Sequence, residues 1–162
     1  MEFNNFLNRN LAKIQKLPVF LQGKVRDYSI GRLVKFVGTA GIHFNKMSCR
    51  EVVITLPNKP RVQNHIRQIH AAASALLAET ATGMVVGMNI PDTSIPLMKS
   101  MSVKYIKRSL GNQKAVATLT DQQISQIRET VKGDVNVAVK ITDETEEEVA
   151  VAEMIWAWIP KT

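Results

Sequence analysis

Between Gln68 and Ile90 the chain holds a single charged side chain, Glu79, set among Leu76, Leu77, Ala78, Thr80 and Ala81. A carboxylate in such company loses solvation, so its ionised form is disfavoured and it becomes a better proton acceptor near neutral pH. A Glu toward the end of a helix also fits a solvated edge or an ion pair with Lys or Arg, and composition alone leaves these readings open. Just upstream, Asn64-His65-Ile66-Arg67-Gln68-Ile69-His70-Ala71-Ala72 leads into a helix expected to start near His70. The first N–H groups of a helix lack intrahelical acceptors and sit at the positive end of its dipole. With only methyl groups at Ala71 and Ala72, a ligand carbonyl has room to approach them, as in an oxyanion hole. An ordinary helix start carries the same signature.

These groups need elements to hold them. Phe3, Phe6, Leu7, Leu11 and Ile14 recur at helical spacing up to Pro18, which ends the segment. Leu21, Val25, Tyr28, Leu33, Phe36 and Val37 continue a second helical pattern with a possible bend at Gly31, broken by Gly38 and Gly41. Glu51–Leu56 reads as a strand stopped by Pro57, and 59–69 as a loop. The Ala-rich segment His70–Thr82 reads as a helix ended by Gly83, with small residues suited to close burial on a sheet. Strand-like runs follow at 84–90, 102–108, 115–120 and 134–142, with a short helix expected at 121–130. The run 143–146 joins the fourth of these strands to a last strand at 149–159 in a hairpin. This order predicts an α+β domain, a curved antiparallel sheet around one helix. Residues 1–41 are expected to form a helical extension and 42–162 the domain itself.

At 162 residues, 45% hydrophobic and 22% charged, the chain has the composition of one globular domain. No stretch approaches the ~20 apolar residues of a membrane span. Residues 1–16 show no apolar core before a cleavage site, and Cys49 is the only cysteine, so no secretory signal and no internal disulfide are expected. The expected location is the cytoplasm. Residues 1–70 carry 12 Lys/Arg against 3 Asp/Glu, and residues 71–162 carry 9 against 11, so the net charge of +7 resides in the first half. Such a half is read first as a solvated basic face, ahead of contact with anionic lipid, nucleic acid or phosphorylated small molecules. Aromatics are only 6%, which disfavours single-strand binding, and no nucleic-acid partner is expected. His43, His65 and His70 lack a metal spacing with carboxylates, so no metal is expected. Trp156 and Trp158 share one strand face, as core or interface. Met84, Met88, Met98 and Met101 fit either plain core or the lining of an acyl tunnel.

Asn64, His70-Ala71-Ala72 and Leu77-Ala78-Glu79-Thr80 together resemble the central-helix motif of hotdog-fold thioesterases, particularly the phenylacetate-degradation type. They also resemble related uncharacterised hotdog domains with Ala-rich central helices. The segment Ser102–Arg108, Gly111 and Ala115-Val116-Ala117 is similar to that family's later core strands, and the likeness spans roughly residues 42–159. Ala71-Ala72 stands where the thioesterases have Gly-Gly, which keeps the N–H groups but adds two methyls.

The resemblance implies a hotdog fold that hydrolyses acyl-CoA-type thioesters. It makes Glu79 the general base or nucleophile, the N–H of Ala71 with Ala72 the oxyanion hole, and Asn64 the group positioning water or the carbonyl. His70 is either part of that site or a cap, and Thr80 is expected beside the substrate. Coenzyme A enters only as part of the substrate, and Lys104, Lys107 and Arg108, expected on one strand, would meet its phosphates. Ala71 and Glu79 lie eight residues apart, about 12 Å along a helix, so one thioester reaches both only if a second copy contributes. A homodimer or a dimer of dimers is therefore expected. A non-catalytic acyl or acyl-CoA binding protein on the same fold is the alternative, favoured by Ala71-Ala72.

Overall fold

The computed structural model describes residues 3–161, so the outermost residues of the expected 1–41 and 42–162 segments lie outside the described residues. The chain runs α1 (Phe6–Ile14), α2 (Val19–Leu33), α3 (Lys35–Ala40), β1 (His43–Met47), β2 (Glu51–Leu56) and α4 (Ala71–Gly87). It continues through β3 (Ser94–Tyr105), β4 (Gln113–Thr118), α5 (Asp121–Glu129), β5 (Gly133–Asp143) and β6 (Glu148–Pro160). The six strands form one sheet in the order β1-β2-β4-β5-β6-β3, antiparallel at every pairing. Helix α4 packs against β2, β3, β4, β5 and β6, so the sheet curls around it in the expected hotdog arrangement.

Side-chain size explains how one helix serves so many strands. Ala73, Leu77, Ala78, Ala81, Val85 and Val86 of α4 are all buried, and the alanines let strand side chains reach close to the helix backbone. Inward residues of β6, including Met154, Trp156 and Trp158, fill the remaining space. Both tryptophans are therefore core. Each lies over a glycine. A Cβ on Gly83 would stand 2.6 Å from Trp156 Cζ2, and one on Gly133 would stand 2.6 Å from Trp158 Cζ2.

The first of these contacts corrects a sequence expectation. Gly83 does not end the helix, and 84–90 is not a strand; α4 continues to Gly87 with Val85 and Val86 wholly buried. Gly83 is in the helix because an indole occupies the place of its side chain. Burial on both sides overrides the β-preference of the valine pair. The expected strand at 102–108 instead spans Ser94–Tyr105. Its first half carries Pro96 and little alternation because β3 is an edge strand, bonded on one side only to β6, and such an edge tolerates proline. Strand β1 escaped the period-2 signal because it is five residues long and only Phe44 of it is buried. In the N-terminal segment the break falls at Val34 rather than Gly31, and Gly38 lies inside α3. Those two glycines meet: a Cβ on Gly31 would stand 2.9 Å from Gly38 Cα.

The N-terminal helices are fastened to the central one by buried amides. The carbonyls at the end of α4 have no intrahelical donors. Asn5 Nδ2 donates to the carbonyls of Gly87 and Ile90, each at 2.8 Å, and Asn8 Nδ2 donates to that of Met88 at 2.9 Å. Asn5 also caps α1, its Oδ1 accepting from the Asn8 N–H at 2.9 Å.

Candidate functional site

Glu79 sits half-buried on α4, and among the described residues it forms no ion pair. It opens into an apolar cleft of about 150 Å³. Val34 and Val37 of the α2–α3 junction form one wall, Pro96 of β3 and Trp156 of β6 another, and Thr80, Gly83 and Met84 complete the helix side. Burial raises the Glu79 pKa above its ordinary value, and the Thr80 hydroxyl, donating to Oε2 at 3.4 Å, opposes that shift. The cleft thus holds a carboxyl group whose ionised form burial disfavours.

At the other end of α4, His70 is the N-cap. Its Nδ1 accepts from the Ala72 N–H at 3.0 Å, which places the ring proton on Nε2. The Ala73 and Ser74 N–H groups donate to the His70 carbonyl at 2.9 and 3.0 Å. Among the described residues, the exposed N–H of Ala71 is the first-turn donor left for a ligand. His70 thus acts as a cap, and Ala72 has its N–H engaged. His70→Ala should lower stability by about 1 kcal/mol, as loss of a cap commonly does, read as a lower urea midpoint with an unchanged slope.

Tyr105, not among the candidate residues, donates its hydroxyl to the Ala71 carbonyl at 2.5 Å. It ties the end of β3 to the start of α4 and so fixes where the Ala71 N–H stands. Asn64 belongs to the preceding loop. Its Oδ1 accepts from the N–H groups of Ile66 at 3.0 Å and Gln68 at 3.1 Å, which folds the loop and leaves Nδ2 as its group for a ligand.

The basic candidates do not share a strand. Lys104 lies in β3, whereas Lys107 and Arg108 lie beyond its end at Tyr105. Turn-forming residues through Gly111, at φ 65°, take over there. All three are exposed, and Lys107 is paired with Glu147. Of the four methionines, only Met84 lines the Glu79 cleft, and Met101 is exposed. The walls from Val34, Val37 and Pro96 left no chemical mark in the sequence, since they are ordinary apolar residues on separate elements. Trp156 stood out in the sequence only as core or interface, and its place over Gly83 comes from the fold.

No curated protein matches the chain in sequence. Solved structures do match. A Pseudomonas aeruginosa protein of unknown function, described as a probable thioesterase, is 21% identical over 90% of this chain and 97% of its own, at a TM-score of 0.76. A thioesterase from Haemophilus influenzae is 17% identical over 83% of this chain and 90% of its own, at 0.66. A thioesterase family protein from Silicibacter pomeroyi is 9% identical over 83% and 96%, at 0.65. At these identities the likeness establishes the fold, the hotdog sheet around α4. The model of a family described as Domain of unknown function (DUF4442) matches residues 26–159, from within α2 to the end of β6, and the chain belongs to that family.

Proposed function

We propose that the protein hydrolyses acyl-CoA-type thioesters in the cytoplasm, with residues 42–162 as the catalytic unit and residues 1–41 as an elaboration that walls the cleft. The observation that carries this reading is the half-buried, unpaired Glu79 with its raised pKa, at an apolar cleft on the central helix of a thioesterase-like fold. Glu79 takes a proton from water as the oxygen adds to the thioester carbonyl carbon. The oxyanion is met by the Ala71 N–H. Collapse breaks the carbon–sulfur bond, and the thiolate recovers the proton from Glu79 to leave as a free thiol. Direct attack by the carboxylate is the other route: the carbon–sulfur bond breaks, the thiolate takes a proton from solvent, and water hydrolyses the mixed anhydride to free acid and the Glu79 carboxylate.

The site is completed by a second copy. Ala71 and Glu79 are about 12 Å apart along one helix, so the donor and the base that meet one thioester come from two protomers. The outer edge of β3, unpaired among the described residues, supports a homodimer, since an open edge strand invites pairing with another. A dimer of dimers extends the same scheme. Asn64 Nδ2 is the group to orient water, Ala72 and Thr80 flank the acyl group, and Lys104 and Arg108, with Lys107, face the coenzyme A phosphates.

A non-catalytic acyl-thioester binding protein is the second reading. The specific observation behind it is that His70 takes up the Ala72 N–H, leaving one helix-start donor where two would polarise a carbonyl more strongly. Free-thiol release across a panel of short- and long-chain acyl-CoA substrates, run beside thermal shift with the same compounds, separates the two. Release that saturates with substrate is expected. Ligands that raise Tm without any thiol appearing would select binding alone.

A further inference from the structure

The corner between α1 and α2 presents apolar side chains to solvent in an unbroken run, Leu17-Pro18-Val19-Phe20-Leu21, every residue of it exposed. Val19 is 84% exposed and Phe20 76%. One helical turn apart along α2, Phe20, Lys24 and Tyr28 lie on the same outward stripe, and Tyr28 is 67% exposed. Four exposed cations accompany this prow, Lys13 and Lys16 on the α1 side, Lys24 on the stripe and Arg32 at the far end of α2, and among the described residues none forms an ion pair. Behind it, a groove of about 550 Å³ runs between the two helices, floored by Leu7, Leu11, Ile14, Ile30 and Leu33, with Lys13 and Arg32 also lining it.

Exposed apolar residues in this number mark a contact surface. We infer that the α1–α2 corner docks the protein on an anionic lipid membrane, with Leu17–Leu21 entering the headgroup region and the four cations meeting lipid phosphates. Among the described residues no helix is long and apolar enough to cross a membrane, so the association is peripheral. Charge decides between occupants. In a symmetric contact between two copies the patch faces itself, which would set Lys13, Lys16, Lys24 and Arg32 against their own counterparts. Helix α2 also packs on β1, at the opposite end of the strand order from the free β3 edge. Nucleic acid would satisfy the cations but offers nothing to Leu17, Val19 and Leu21, which are aliphatic and cannot stack on bases. A bilayer surface meets both demands, since polybasic and apolar contacts reinforce one another there.

The test is co-sedimentation of the full chain with vesicles of phosphatidylcholine alone and of an equimolar mixture with phosphatidylglycerol. Binding is expected only to the mixture, and it should fall at least tenfold in about 1 M salt, where screening acts within about 3 Å. Phe20→Glu and the double change Lys16→Glu, Lys24→Glu should each weaken binding more than tenfold, with circular dichroism and thiol release in solution unchanged. These residues are exposed, so the variants are expected to fold. The inference is overturned if the parent ignores both vesicles or if Phe20→Glu binds as the parent does. It is equally overturned if gel filtration shows that Phe20→Glu breaks an oligomer of the parent, or if an acidic protein or duplex DNA competes the vesicles away at stoichiometric concentration.

Discussion

Glu79→Gln is expected to reduce thiol release from acyl-CoA by about 10²–10⁴-fold, the usual contribution of a positioned general base, with the substrate KM changed little. Gln keeps the length of the side chain and an oxygen that can accept from the Thr80 hydroxyl, but it cannot take a proton. The cleft walls from Val34, Val37 and Trp156 are untouched, so thioester binding by thermal shift should persist. The pH profile gives a second measurement on the same group. In the proposed mechanism hydrolysis needs the carboxylate, so the rate should rise with pH through the Glu79 pKa. That limb should lie above the ~4.3 of an exposed glutamate, because burial raises it. Stability moves the other way. A carboxyl whose folded-state pKa is raised contributes stability below its unfolded pKa, and that contribution is lost as pH rises through the folded value. At neutral pH the Gln variant should therefore unfold at a urea concentration equal to or above that of the parent. A variant that kept parental turnover would remove Glu79 from the mechanism.

Trp156→Ala is expected to destabilise the fold by about 3–5 kcal/mol, the range for truncating a buried aromatic. Three contacts are lost together. The indole fills the space over Gly83, donates from Nε1 to the buried Thr82 hydroxyl at 2.9 Å, and forms a wall of the Glu79 cleft. The Thr82 hydroxyl itself donates within α4, toward the carbonyls of Ala78 and Glu79 at 2.9 and 3.0 Å, so the tryptophan is linked to the backbone of the residue proposed as base. Opening the wall lets water reach Glu79 and removes part of the desolvation that raises its pKa. The acid limb of the rate profile should then move to lower pH, while urea unfolding shows the drop in midpoint. Trp156→Phe restores most of the volume and should recover much of the stability, without the Thr82 bond. If the Ala variant lost stability but left the acid limb in place, the indole would not be what desolvates the carboxyl group.

How far the sequence could be read follows from what each element's signal depends on. Strands β5 and β6 were legible because each is buried on one face and joined by a short polar turn, so alternation and turn residues agree. The start of α4 was legible from its small residues and the polar loop before it. Its end was not, because a glycine facing an indole and a pair of buried valines look like a helix stop and a strand when the facing side chain is unknown. The first half of β3 was hidden by Pro96, which only its edge position permits. In the site, Glu79 stood out because charge is rare in an apolar helix. Val34, Val37 and Pro96 meet it only through the fold, from elements distant in sequence. The role of His70 was left open between ligand and cap by its position alone, and the bond to Ala72 assigns it as the cap.

The meeting of Gly31 with Gly38 has a consequence for how this protein evolves. With no side chain between them, the spacing of that joint is dictated by main-chain atoms and cannot be relaxed by a change of rotamer. Val34 and Val37 lie in the link that the joint closes, so one wall of the Glu79 cleft is gauged by a hinge pin outside the sheet. On the proposed reading, drift at this joint would reshape that wall while leaving Glu79 and the start of α4, which lie on another stretch of polypeptide, where they are.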